Sequence, residues 1–276
     1  MDSVHAMTSS FPVAEQSAAV IENVAVNAEY RHLVIGGEAL AADVVAGQFF
    51  HLLCPLASDA APFLRRPMSV YAADRTHGRI EFLYKVTGTG TRGLATLKAG
   101  EHINIVGPLG HGFSLDPAWR NVVVVGRGVG LATLAPLARM AERAGVGVTA
   151  ILSARRPDLV MSIDVFRGCG AGVITVTDTD RSSEVANVER LLRGVAAKNK
   201  ADALFTCGSN RLLLLLQRLG RELGIPGQVA LEQQMACGLG MCFCCVRNFR
   251  GPDGAVEHRR VCWDGPVFDL QEPLSW

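Results

Sequence analysis

Between residues 19 and 115, apolar and polar residues alternate in short runs broken by Gly, Pro and Asp. Val20–Val26, Tyr30–Ile35, Gln48–Leu53, Met68–Ala72, Arg79–Lys85 and His102–Val106 carry this strand-like pattern, and helical spacing is confined almost to Thr91–Leu97. Six short strands separated by turn residues predict a small antiparallel β-barrel. After Pro117 the pattern changes. Asn121–Val125 is a continuous apolar run, as in a parallel strand covered on both faces, and Leu131–Arg143 follows with helical spacing. Further strands are expected at Gly147–Leu152, Gly172–Val176 and Ala203–Thr206, with helices at Glu184–Ala197 and Arg211–Leu223. Alternating strands and helices predict a doubly wound parallel sheet, an α/β domain. The expected division is a loose tail over 1–18, a barrel over 19–116, an α/β domain over 117–227 and a cysteine-rich lobe over 228–276.

Composition narrows the class. The chain has 276 residues, 49% apolar and 19% charged, with a net charge of +1, which suits a soluble globular protein and gives no electrostatic reason to expect nucleic acid or an anionic membrane as partner. The densest apolar run, Leu212–Leu216, is far too short to span a bilayer and reads as a core-facing helix. Residues 1–17 lack the basic and apolar regions of a signal peptide. Eight cysteines, most of them grouped near the end of the chain, argue against a secreted disulfide framework, and Cys54, Cys169 and Cys207 are expected as reduced thiols in a cytoplasm.

Cys237, Cys242, Cys245 and Cys262 follow the spacing C-x4-C-x2-C-x16-C. The first three match the loop of a plant-type [2Fe–2S] site, which must turn sharply around two irons. Gly238 and Gly240 suit such a loop, because glycine takes positive φ and lets N–H groups approach sulfur. A structural zinc site is the rival, although its cysteines usually fall in repeated close pairs. Cys244 lies inside the loop and competes for the metal. Cys262 is preferred as fourth ligand because Cys244 and Cys245 are adjacent.

Other motifs are weaker singly. Gly126-x-Gly128-x-Gly130 sits at a strand-to-helix turn, where backbone N–H groups and the helix dipole can hold a pyrophosphate. Cys207-Gly208 ends a later strand, on the edge where open α/β sheets bind ligands. Arg66-Pro67-Met68-Ser69 places a guanidinium fork and a hydroxyl within one strand, able to meet a phosphate and a flavin edge, or simply to supply surface charge. Gly88-Thr-Gly90-Thr91 and Gly107-Pro-Leu-Gly110 complete the set.

In this order, these motifs resemble the ferredoxin–NADP reductase superfamily, and the segments Leu231–Cys237 and Val261–Phe268 resemble the electron-transfer subunits of dihydroorotate dehydrogenase B. The resemblance spans about residues 19–270 and implies FAD between barrel and α/β domain, touched by Arg66, Pro67, Met68 and Ser69, with Gly90 and Thr91 on its phosphate side. It implies NAD(H) at Gly126, Gly128, Gly130, Cys207 and Gly208. Two departures stand out: Arg127 occupies a usual glycine position, and Cys244 a usual small, inert one.

The implied function is electron transfer from NADH through FAD and a [2Fe–2S] cluster to a catalytic flavoprotein, dihydroorotate dehydrogenase, in a hetero-oligomer. One alternative is the reductase subunit of another oxidoreductase or oxygenase, although the gap before Cys262 is short for a full ferredoxin domain. Another is a redox- or metal-sensing protein without turnover. Arg155 and Arg156 follow the second α/β strand, where a basic residue can meet the 2′-phosphate of NADPH; the resemblance favours NADH.

Overall fold

The computed structural model describes residues 13–37, 44–56 and 62–275. Most of the expected tail, residues 1–12, lies outside them. The first layer is a seven-stranded antiparallel sheet made of β1 (Ala14–Ala25), β2 (Tyr30–Gly36), β3 (Phe49–Leu52), β4 (Arg66–Ser69), β5 (Ala72–Asp74), β6 (Arg79–Lys85) and β7 (His102–Leu109). A short helix, α1 (Thr89–Leu94), crosses between β6 and β7. The strand order is β4-β3-β7-β1-β2-β6-β5, so the sheet curls into a barrel open between β4 and β5. Phe50, Leu52, Phe82, Tyr84 and Ile105 fill its interior.

Two differences from the sequence reading have physical causes. β1 begins at Ala14, inside the stretch read as tail, because Ala14–Ala19 pairs with β7. The run expected as one strand over Met68–Ala72 is split into β4 and β5. Val70 N–H donates to Gln48 on one side of the opening and Tyr71 N–H to Glu81 on the other. The chain thus changes partner strands within two residues and bridges the gap in the barrel.

The second layer is a six-stranded sheet of order β10-β9-β8-β11-β12-β15. Its parallel strands are β8 (Asn121–Arg127), β9 (Gly147–Ala154), β10 (Gly172–Thr177), β11 (Ala203–Cys207) and β12 (Gly227–Ala230). Helices α2 (Gly130–Arg143), α3 (Ile163–Gly168), α4 (Val185–Ala196) and α5 (Asn210–Leu223) connect and cover them. In α5, Ser209 caps the first turn, Gly224 ends the helix with φ 66°, and Leu212, Leu213, Leu215 and Leu216 face the core while Leu214 is exposed.

The cysteine-rich stretch contains a hairpin, β13 (Val246–Arg250) with β14 (Val256–Arg260), one turn of helix, α6 (Val261–Asp264), and β15 (Val267–Asp269). It does not stand wholly apart from the sheet: β15 pairs antiparallel with β12, matching Gln228 with Asp269 and Ala230 with Val267. The buried side chain of Gln217 donates to the carbonyls of Leu270 and Pro273 and fastens the segment to α5.

Candidate functional site

Where the barrel, the sheet and the cysteine lobe meet, a cavity of about 330 Å³ opens. Phe49, Pro67, Met68 and Ser69 form its barrel wall, Val129 and Thr133 its sheet wall, and Leu231, Glu232 and Met235 its third wall. An apolar slot with few polar groups suits a planar ring system such as isoalloxazine, and its volume suits the ring better than a whole dinucleotide. Three polar side chains of its wall, Ser69, Thr133 and Glu232, are joined through Cys207, which is buried behind it. Ser69 Oγ lies 3.0 Å from Thr133 Oγ1, Thr133 is a hydrogen-bond neighbour of Cys207, and Cys207 Sγ lies 3.8 Å from Glu232 Oε1. Burial raises the Cys207 thiol well above its usual range, and the Glu232 charge adds to this. Glu232 is exposed, but towards the cleft. Desolvation by the cleft walls raises its carboxyl pKa, with the Cys207 contact acting the other way.

Sequence reasoning singled out Ser69 and Cys207 but missed Thr133 and Glu232. Thr133 is the one hydroxyl in the apolar first turns of α2, and Glu232 a carboxylate directly after the apolar end of β12. Both signals are visible only once the elements are placed.

Pro67, Met68 and Ser69 line the cavity, whereas Arg66, Gly90 and Thr91 form a neighbouring cluster outside its wall. Gly90 lies against the Arg66 side chain: a Cβ there would stand 2.7 Å from Arg66 Nε and move the guanidinium. Arg66 Nη1 donates to the carbonyl of Leu64. Thr91 Oγ1 accepts from the N–H groups of Thr87 and Gly88, at 2.9 and 3.1 Å, and so shapes the turn.

A second cavity, about 270 Å³, lies at the carboxyl ends of β8 and β9 and includes Gly128 and Gly208. Gly126 and Gly130 play a packing part instead: Leu131 and Leu134 of α2 close over the first, and the backbone of Cys207 and Gly208 touches the second. Gly208 has φ 90°, and a Cβ there would overlap the carbonyl oxygen of Arg127. The two loops therefore press backbone against backbone, which only glycine permits. Arg127 is held to one side, with Nη1 2.9 Å from Ser153 Oγ and Nη2 2.6 Å from Asp178 Oδ2. Arg155 Nη2 lies 2.8 Å from both carboxylate oxygens of Glu29, which also takes Lys85 Nζ at 2.8 Å. Arg156 pairs with Asp158.

The cysteine loop leaves the cleft directly: only Ala236 separates Met235, in the wall, from Cys237. Gly238 and Gly240 take φ values of 72° and 77°. Cys245 and Cys262 are buried, with sulfurs 3.1 Å apart, and the N–H of Cys262 points at Cys245 Sγ. Cys237 and Cys242 form the other neighbouring pair. Burial works to raise the Cys237 thiol, but the N–H groups of Leu239, Cys242 and Met241 and the Cys242 thiol bring it down to about 7. Burial and the Cys245 thiol push Cys262 up to about 12. Cys244 is exposed and turned towards the Gln234 carbonyl, 3.9 Å away. Among the described residues no three His, Cys, Asp or Glu side chains converge tightly enough to ligate one metal ion. Two pairs of thiols suit two irons better than a single zinc.

Comparison with known proteins agrees with both halves of this geometry. Residues 17–113 match the oxidoreductase FAD-binding domain, and residues 232–272 match the iron–sulfur cluster binding domain of dihydroorotate dehydrogenase B. The fold is similar to a chain in the structure of the NADH-dependent reduced ferredoxin–NADP oxidoreductase, with TM-score 0.78 and 25% identity over 94% of this chain and 90% of that one. It is also similar, in fold alone, to the ferredoxin reductase in carbazole 1,9a-dioxygenase, with TM-score 0.63 and 21% identity over 78% of this chain and 67% of that one. The class is thus that of ferredoxin-reductase-like iron–sulfur flavoproteins.

Curated relatives narrow the class. A protein of Bacillus cereus (strain B4264) is 31% identical over 94% of this chain and 98% of its own length. One of Desulforamulus reducens is 32% identical over 81% of this chain and 84% of its own. Both are named dihydroorotate dehydrogenase B (NAD(+)), electron transfer subunit, and the chain belongs to this family.

Proposed function

We propose that this chain binds FAD in the three-walled cleft and a [2Fe–2S] cluster on Cys237, Cys242, Cys245 and Cys262. In this reading it carries electrons between NADH and a catalytic dihydroorotate dehydrogenase subunit. The observation that carries the reading is the direct run of chain from the cleft wall at Met235 to the first cysteine, with Cys237, Cys242 and Cys245 on one loop and Cys262 of α6 brought against Cys245. When bound, FAD accepts a hydride from NADH and releases its electrons singly, and the cluster carries one at a time. The protein's own share is positioning. Phe49, Met68 and Leu231 exclude water from the ring, and Ser69, Thr133 and Glu232 present hydrogen-bonding groups along one side of it, with Cys207 behind them.

The cavity with Gly128 and Gly208 is proposed to hold the dinucleotide. NADH is favoured over NADPH because Arg127 and Arg156 are already paired with Asp178 and Asp158, leaving each less free for a 2′-phosphate. Around Cys242 the loop exposes Met241 and Phe243, and α6 beside it exposes Trp263, at 79%, 62% and 44% of their surface, a collar suited to docking the catalytic subunit in a hetero-oligomer. Cys54, Cys169 and Cys207, away from the cysteine loop, stand as unpaired thiols, which supports a cytoplasmic setting. Among the described residues no helix is long and apolar enough to cross a membrane.

The test is an anaerobic NADH titration of the purified protein, followed by visible absorbance and EPR. Bleaching of a flavin band with the appearance of a reduced [2Fe–2S] signal is expected. A colourless zinc protein, or flavin and cluster that ignore NADH, would overturn the reading.

A further inference from the structure

His51 is a fully buried histidine with no role in the cleft. On β3 the side chains alternate: Phe50 and Leu52 enter the barrel core, while Phe49 and His51 face the opposite way. On that side Phe49 packs in the apolar cluster that contains Cys245 and Cys262, and its ring centroid is 5.7 Å from that of His51. The His51 ring has 0% of its surface exposed, and neither Nδ1 nor Nε2 has a hydrogen-bond partner among the described residues. Burial, aided by the nearby Arg65 charge, lowers its pKa to about 4, so the ring is neutral, with one N–H donor and one bare nitrogen.

An unpaired buried donor is destabilising, and a phenylalanine or leucine would fill this space without that cost. Something in the assembled protein therefore takes the N–H. Gly238, the residue after Cys237, lies flat over the ring: a Cβ at 238 would stand 2.8 Å from Cε1 and 3.0 Å from each ring nitrogen. The absence of a side chain at 238 lets the cysteine loop rest on the imidazole. His51 does not line the flavin cavity; Arg65, the charged group near it, is itself a donor and cannot take the N–H, whereas the cysteine loop lies against its ring.

We propose that His51 donates its ring N–H to a sulfur of the [2Fe–2S] cluster, bracing the cysteine loop against the barrel and raising the cluster's reduction potential. This rests on the cluster assignment made above. The physical basis is that an N–H···S bond strengthens as the acceptor becomes more negative, so it favours the reduced cluster. Reduction adds one electron to the cluster, and no proton leaves the ring. His51 is thus a positioning and tuning residue and takes no part in hydride transfer.

The experiment uses the full chain with its cofactors, labelled with 15N-histidine and reduced with dithionite. Pulsed EPR should show a 15N coupling to the cluster, and redox titration should give its midpoint potential. In His51→Phe the coupling should vanish and the potential fall; His51→Asn, which keeps an N–H, should recover part of the shift. A normal [2Fe–2S] signal without 15N coupling in the unsubstituted protein would overturn this proposal alone, even where a variant fails to fold. So would an unchanged cluster potential in His51→Phe, or a shift confined to the flavin. No cluster signal at all in the unsubstituted protein would overturn the cluster assignment and this proposal with it.

Discussion

Around the dinucleotide loops the charged groups Arg127 and Arg155 already have partners within the protein, whereas the histidine under the cysteine loop has no hydrogen-bond partner among the described residues. Arg127 has Ser153 and Asp178, and Arg155 has Glu29. Gly130 and Gly208 lock the two loops together. Under the cysteine loop, His51 lacks hydrogen-bond partners among the described residues, and burial with a neighbouring thiol pushes Cys262 up to about 12. A site that a ligand enters and leaves at each turnover gains from being formed in advance. A site for a permanent group can leave its chemistry unfinished, because the group completes the fold. Metal binding to such a lobe is coupled to its stability.

The sharpest break in this comparison comes from the cysteines. Cys245→Ser should reduce iron from about two per chain to near zero and cut electron delivery to an external acceptor to background. NADH should still reduce the flavin, as stopped-flow absorbance would show. Cys244→Ser should keep its iron; loss of iron there would move the ligand assignment. Next in size, Gly208→Ala should cost about 1–3 kcal/mol from strained backbone alone, with a drop of several degrees in the melting midpoint by calorimetry. An unshifted midpoint would mean that the two loops are not locked.

A smaller effect is expected from Glu232. Its folded pKa is raised from the ordinary 4.5, so the folded chain holds this proton more tightly than the unfolded one. The associated stability is present below about pH 4.5 and is lost as pH rises through the folded value. Glu232→Gln should flatten that decline in melting midpoint against pH; parallel curves would sink the assignment. The smallest effect is expected from Arg127→Gly. Its pair with Asp178 is partly exposed and worth less than about 1 kcal/mol, and NADH KM should change by only a few-fold. A large change in KM would show the guanidinium reaching the dinucleotide.

Much of this was legible in local pattern. β6 runs over Arg79–Lys85 as its alternation predicts, and α4 over Val185–Ala196 falls inside the expected helix. The change from alternating to continuous apolar runs after Pro117 marked the parallel sheet. What stayed hidden depends on distance. β12 and β15 are four and three residues long; β12 is held by parallel pairing with β11, and β15 exists because Asp269 meets Gln228 across the lobe. The cysteine spacing pointed to a metal-binding loop, but nothing near His51 in sequence pointed to it. Its significance comes from facing Gly238 across two different layers. Thr133 and Glu232 are likewise isolated polar residues until α2, β11 and the lobe bring them beside Cys207.

The strand β15 has a consequence for handling the protein. It covers the outer flank of β12 and is only three residues long, too short to recruit a further strand. The lobe that carries the cysteines is therefore also the guard on an open sheet edge. Damage that loosens it, such as oxidation of the thiols in air, uncovers the peptide groups of β12 to other molecules. Loss of colour in an ageing sample should then be accompanied by turbidity, with aggregation following the same time course as cluster loss.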